Sequence, residues 1–232
     1  LVEQIRENGG QAYSLIPFEE PYPGTFEEIS GWVERLTKRP GKKYIYAYWP
    51  EPDGCMHEKG CYSPEAKETL RQLEKQVQQL TEKLSNTLVI VTADHGHMDS
   101  RGVAIENYPE ITECLKRGLS LEPRAVNFFV KEEKKQQFEE EFRKNFGDTF
   151  LLFTKKEVRE KQLFGPGKEG AAFDGMLGDY LAVAVSDLSI YSHKKEEDFF
   201  IGVHAGLLED EMVIPLLLIG SREAMSSDEI CE

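Results

Sequence analysis

Apolar residues along the chain recur mostly at two periods, and each period predicts its own elements. Helical spacing comes first. Residues 2–8 read as the end of a helix, closed by Gly9 and Gly10. Thr25 opens a second helix, with Glu28 in capping-box spacing, Phe26, Ile29, Val33 and Leu36 on one face, and Pro40-Gly41 as its stop. Ser63 and Pro64 take the N-cap and N1 places of a third, whose Leu70, Leu73, Val77, Leu80 and Leu84 recur as a core face as far as Ser85. Residues 132–145 form a highly charged helix with Phe138, Phe142 and Phe146 on one side, and 155–163 a short one. Compact β-prone runs at 12–16, 44–49, 87–93, 124–130, 150–153, 180–185 and 212–219 predict strands. Two of them, 87–93 and 212–219, are apolar enough to read as buried core strands.

The order of these elements predicts an α/β fold: a largely parallel sheet flanked by helices, with a smaller α+β insert. Strand, loop, helix, strand and loop follow one another over 44–96 as in a βαβ unit, which places both loops at the carboxyl edge of a parallel sheet. Residues 1–100 and 199–232 are assigned to the core and 101–198 to the insert or cap. The run 164–170 is a glycine-rich turn, and neither internal repeats nor low-complexity segments occur.

Composition narrows the function classes. The 232 residues are 40% hydrophobic and 30% charged, as expected of a soluble globular chain. The longest apolar runs are too short to span a bilayer. A net charge of −14 argues against a nucleic-acid footprint but not against an anionic substrate, because bound divalent cations reverse the sign of the local field. The four cysteines, Cys55, Cys61, Cys114 and Cys231, lack CxxC spacing and read as reduced thiols. That favours a cytoplasmic setting. Secretion stays open, since the chain starts without methionine in what looks like mid-helix and reads as a fragment whose true N-terminus could carry a signal.

The candidate chemistry sits where predicted strands end. Residues 88–91 are apolar, and the run then turns through Thr92 and Ala93 to Asp94-His95-Gly96. The strand at 44–49 leads into Asp53-Gly-Cys-Met-His57, where helical turning would set both donors on one face. A third piece, Gly202-Val-His204-Ala-Gly206, holds a histidine between glycines. Each piece has a plainer reading by itself: Asp53 as a loop cap, His57 as a surface residue, His204 as a hydrogen-bonded loop histidine. Jointly, Asp53, His57, Asp94, His95 and His204 make a donor set for a two-metal centre acting on phosphate esters. His97 reads first as a plain loop histidine, with phosphate binding as the lesser alternative, His193 as solvated, and Asp174 and Asp179 as turn residues beside Gly175 and Gly178, with an extra cation contact as their alternative.

The ordered set P-D-x-x-x-H, T-A-D-H-G and G-x-H-x-G resembles the alkaline phosphatase superfamily, in particular its type I phosphodiesterase/nucleotide pyrophosphatase branch. Residues 44–53 are similar to the strand that enters the Asp-x-x-x-His loop, and 210–218 to the closing strand after the last histidine. The resemblance covers about 25–100 and 198–220. It implies one metal held by Asp53, His57 and His204 and another held by Asp94 and His95. Two divalent ions are expected, zinc first and manganese as the alternative. The nucleophile is expected upstream of Leu1, so no catalytic nucleophile is assigned within this chain and the fragment itself is expected to be inactive. The implied partner is a small phosphorylated or nucleotide substrate, and the implied activity is hydrolysis of phosphodiester or pyrophosphate bonds. A phosphomutase or sulfatase-like enzyme, or a non-catalytic metal-binding or assembly module, are the alternatives. Ala205 stands where the family usually has glycine, and Cys55-Met56 replaces the usual small residues.

Overall fold

The computed structural model describes residues 1–18 and 23–221; Pro21 and Cys231 lie outside them. The chain opens with helix α1 (Val2–Glu7), strand β1 (Gln11–Leu15), α2 (Phe26–Thr37), β2 (Lys43–Ala47), α3 (Asp53–Lys59), α4 (Pro64–Thr81) and β3 (Leu88–Thr92). It continues through β4 (Met98–Asp99), β5 (Arg101–Ala104), α5 (Pro109–Thr112), β6 (Ser120–Glu122), β7 (Ala125–Phe128) and α6 (Lys135–Phe146). Then come β8 (Phe150–Thr154), α7 (Lys155–Glu160), α8 (Phe173–Met176), β9 (Tyr180–Ala184), β10 (Leu188–Tyr191), β11 (Gly202–Val203), α9 (Glu209–Met212) and β12 (Leu216–Gly220). These elements form two compact units. Among the described residues the first takes 1–18, 23–54, 64–93 and 215–221, and the second takes 55–63 and 94–214.

In the first unit, α2 starts where its cap chemistry says it should. The Thr25 hydroxyl accepts from the Glu28 N–H at 3.2 Å, satisfying one of the helix's orphan donors. Its buried Ile29, Val33 and Leu36 pack with Leu15, Leu80 and Leu84. Each such side chain contributes about 1.5–3 kcal/mol when fully buried. Helix α4 ends at Thr81, four residues before the predicted Ser85. Strands β1 and β2 pair in parallel, with Gln11 opposite Lys43 and Leu15 opposite Ala47, so the crossover through α2 is the parallel unit.

The predicted βαβ unit over 44–96 does not form as such, because β3 pairs antiparallel with β12 instead of with β2. Nor do β3 and β12 form strands buried on both faces. Leu88, Ile90, Leu216 and Leu218 share one face of this pair and are 43%, 57%, 68% and 58% exposed. On the opposite face, Val89 packs against the core of Leu15 and its neighbours. An apolar run reports that a strand can be covered on both sides, not that it is.

In the second unit the largest sheet is antiparallel, in the order β6-β7-β9-β8. Helix α6 lies on it through Phe138, Phe142 and Phe146, the predicted stripe, each no more than 1% exposed. Their rings stand 5.1–5.7 Å from one another and from Phe128 of β7 where they meet. Helix α7 begins in a capping box: Thr154 accepts from the Glu157 N–H, and the Glu157 carboxylate accepts from the Thr154 N–H. The short pairs β10-β5, parallel, and β11-β4, antiparallel, complete the unit. The chain is therefore α/β, but among the described residues its strands are divided among small sheets, of which β1-β2 and β10-β5 are the parallel pairs.

Candidate metal centre

Helix α3 begins at Asp53, and the helical turn puts His57 one turn further along the same face. An Asp53 carboxylate oxygen and a His57 ring nitrogen lie within 4.8 Å of each other. The end of α3 is tied to the segment that carries His204. The Ile201 N–H donates to the His57 carbonyl at 2.8 Å, and His57 Nδ1 lies 2.7 Å from the Gly202 carbonyl oxygen. A carbonyl can only accept, so Nδ1 carries the proton of this hydrogen bond. This is the orientation that metal-binding imidazoles adopt when a backbone carbonyl holds the far nitrogen.

Two-residue strands set the next two histidines. Val203 pairs with Met98 and Gly202 with Asp99, which leaves His204 and His97 as the next residues outward on the two strands. Their ring centroids are 5.2 Å apart, and His97 is 4.7 Å from the His57 ring. His57, His97 and His204 each present a nitrogen within 4.8 Å of the others. The donor set fits a divalent ion of borderline softness: three half-buried imidazoles, with a carboxylate one helical turn before the first. Sequence reasoning missed His97. Its available signal was the His95-Gly96-His97 spacing, since residues two apart in extended chain point to the same side.

His95 is stacked on His204, with ring centroids 3.7 Å apart and planes 21° from parallel. Its Nδ1 lies 2.9 Å from the Gly96 carbonyl oxygen. Asp94 is largely exposed, and its Oδ1 is 3.6 Å from His95 Nε2. These two side chains therefore present a carboxylate and an imidazole nitrogen side by side, two donors rather than a closed set. Four of the chain's five histidines thus gather in one place. The fifth, His193, is exposed, with Nδ1 3.0 Å from Glu106.

The glycines of the motifs have identifiable neighbours. A Cβ on Gly96 would overlap the Asp210 carbonyl, and one on Gly202 would lie 2.5 Å from the Met56 carbonyl oxygen and 3.0 Å from His97 Nδ1. Ala205 sits at φ 82°, a left-handed conformation that an alanine adopts only under strain.

A shallow cleft of about 380 Å³ lies beside His97, lined by Met56, Cys61, Tyr62, Glu209, Asp210 and Val213. Cys61 Sγ is 3.7 Å from His97 Nδ1, and the Cys61 N–H donates to Asp99 at 2.6 Å. Burial, then the Asp99 carboxylate, push the Cys61 thiol up to about 12. Asp174 and Asp179 have structural partners. Asp174 pairs with Arg159 and Lys155, and Asp179 accepts from the Val130 N–H and pairs with Lys116 and Lys135.

Histidines and a carboxylate delivered by strand ends and a short helix form, in an α/β chain, a group that could hold a metal ion, and the family that the chain matches names the class of hydrolase it falls in. The model of the type I phosphodiesterase/nucleotide pyrophosphatase family matches residues 8–206, and the chain belongs to that family. No curated protein sequence matches it. Among solved structures, it is similar to murine ectonucleotide pyrophosphatase/phosphodiesterase 5, solved both as such and as an inactive variant in complex with AMP. In each case the TM-score is 0.69 and the identity 20%, covering 98% of this chain and 68% of the murine chain. The human enzyme gives a TM-score of 0.66 at 19% identity, covering 97% of this chain and 66% of the other. The chain thus spans about two thirds of the length of these neighbours, and the likeness carries the alkaline phosphatase-like fold.

Proposed function

We propose that this chain is the metal-binding part of a hydrolase that cleaves phosphodiester or pyrophosphate bonds in small phosphorylated or nucleotide substrates. The observation that carries the reading is the convergence of His57, His97 and His204 beside Asp53, in a member of the phosphodiesterase/nucleotide pyrophosphatase family. In this reading Asp53, His57 and His204 hold one divalent ion, with His97 as a fourth donor. Asp94 and His95 contribute to a second ion, whose remaining ligands and the nucleophile come from elsewhere in the protein. Zinc suits the donor set, and manganese is the alternative.

Bound there, divalent ions supply positive charge that acidifies the attacking hydroxyl and neutralises the phosphoryl oxygens. The chain's own residues set the conditions for this. The Gly202 carbonyl orients the His57 ring through Nδ1, and the Gly96 carbonyl does the same for His95. Asp94, exposed beside His95, is placed to keep a cation at the rim of the site. The cleft next to His97 offers room for part of the substrate.

The test has two arms. The complete protein should hydrolyse a p-nitrophenyl phosphodiester, lose that activity to a chelator and regain it with zinc or manganese. If it stays inert with either ion at saturation, the enzyme reading fails. The present chain should bind zinc in calorimetry, with His204→Ala removing most of the uptake. Equal uptake by the variant would overturn the ligand assignment.

A further inference from the structure

We propose that the buried ion pair Arg124–Glu211 is a positioning device that sets the spacing of the two histidine-bearing loops. The inference rests on the reading of the histidine cluster as a metal centre. Both side chains are sealed from solvent, at 0% and 1% exposure. Arg124 donates from Nε to Glu211 Oε1 at 2.6 Å and from Nη2 to Oε2 at 2.7 Å, a bidentate fork. Two further N–H groups go to the carbonyls of Leu188 (2.9 Å) and Ser186 (2.8 Å). Arg124 immediately precedes β7, so its anchor is the main sheet of the second unit.

Glu211 then reaches both loops. Its Oε1 accepts from the Gly206 N–H at 2.7 Å, two residues after His204, and its Oε2 accepts from the Leu208 N–H at 3.3 Å. Its main-chain carbonyl accepts from the Gly96 N–H at 2.8 Å, the residue after His95. A Cβ on Gly206 would lie 2.5 Å from Glu211 Oε2 and 2.7 Å from Arg124 Nη2. The last glycines of T-A-D-H-G and G-x-H-x-G therefore answer to one residue: each lets its loop close onto Glu211 or its neighbour Asp210.

A sealed charge pair is a poor way to gain stability, since apolar residues of similar volume are often as good or better. Here Arg124 ties Glu211 to the Leu188 and Ser186 carbonyls, and the Glu211 acceptors fix backbone close to His95 and His204, whose rings stack at 3.7 Å. That pattern suits a geometric role. It resembles the outer groups of metal sites, whose loss typically weakens metal binding 10–100-fold.

The experiment compares the wild-type chain with Glu211→Gln and with the double variant Arg124→Met/Glu211→Met. The double variant removes both charges together, which avoids the cost of leaving a lone buried charge. Zinc affinity is read by competition with a chromophoric chelator, and the thermal midpoint and the amide exchange of Gly96 and Gly206 are followed alongside. The expected result is a double variant that unfolds cooperatively near the wild-type midpoint, binds zinc at least about tenfold more weakly and exchanges the Gly206 amide faster. A folded double variant with wild-type zinc affinity and unchanged exchange would overturn the proposal. If the wild type takes up no zinc, the metal reading is what fails, and the exchange rates then decide the positioning role: faster supports it, unchanged overturns it.

Discussion

Ala205 is the residue at which motif and backbone disagree most openly. Its φ of 82° is one that glycine adopts freely and alanine at a cost of about 1–2 kcal/mol. The family's usual glycine at this place thereby acquires a physical reason. Ala205→Gly should raise the stability of the metal-free chain by about 1 kcal/mol, measured by urea denaturation; a loss would mean that the methyl group packs usefully. Asp179 gives a second prediction at this scale. Burial pushes its carboxyl up, but the Val130 N–H and the ammonium groups of Lys116 and Lys135 outweigh that and hold it below its ordinary value. A folded pKa below the unfolded value of about 3.9 means the contribution is complete above that pH. It is lost as the pH falls from there through the folded value. Asp179→Asn should therefore cost about 1 kcal/mol at neutral pH and progressively less in acid. Denaturation curves at pH 7 and pH 3 check the sign, and an equal cost at both would refute the assignment.

At the scale of elements, what was legible in the sequence is what depends on near neighbours. The cap at Thr25 and the stripe of Phe138, Phe142 and Phe146 involve residues within a few turns, and both form as the pattern predicts. Strand pairing is different. Nothing near β3 says that its partner is β12, more than 120 residues further along, so the parallel arrangement expected from the order of elements gave way to an antiparallel pair. The three motif histidines and His97 come together through pairings of the same distant kind, which is why His97 looked like an ordinary loop residue until β4 met β11. Helix α7 offers a test of a purely local device. Its capping box links Thr154 and Glu157 through both main chain and side chain. Thr154→Ala should cost about 1 kcal/mol, seen as a lower denaturation midpoint. No change would show that packing of Val158 rather than the cap holds the helix start.

On the scale of the molecule, two surfaces stand out. The net charge of −14 keeps anionic partners away except where cations intervene, consistent with a site of clustered imidazoles rather than a basic groove. The face formed by Leu88, Ile90, Leu216 and Leu218 is the opposite case, an apolar patch open to water. Such a face binds apolar dyes and invites self-association. Ile90→Lys should lower the fluorescence of a bound naphthalene sulfonate dye and leave zinc uptake unchanged. Dye binding at the wild-type level would locate the exposed patch elsewhere. Among the described residues no helix is long and apolar enough to cross a membrane.

The four-residue ribbon of β4 and β11 also determines which changes the site can survive. Val203 faces Met98, and the imidazoles of His204 and His97 follow directly from that one match. Deleting a single residue at Val203 would slip the alternation by one and send one imidazole to the far side of the ribbon while the other stayed. Shortening this segment by one residue would thus separate donors that substitution of Val203 by another β-branched residue would leave facing each other.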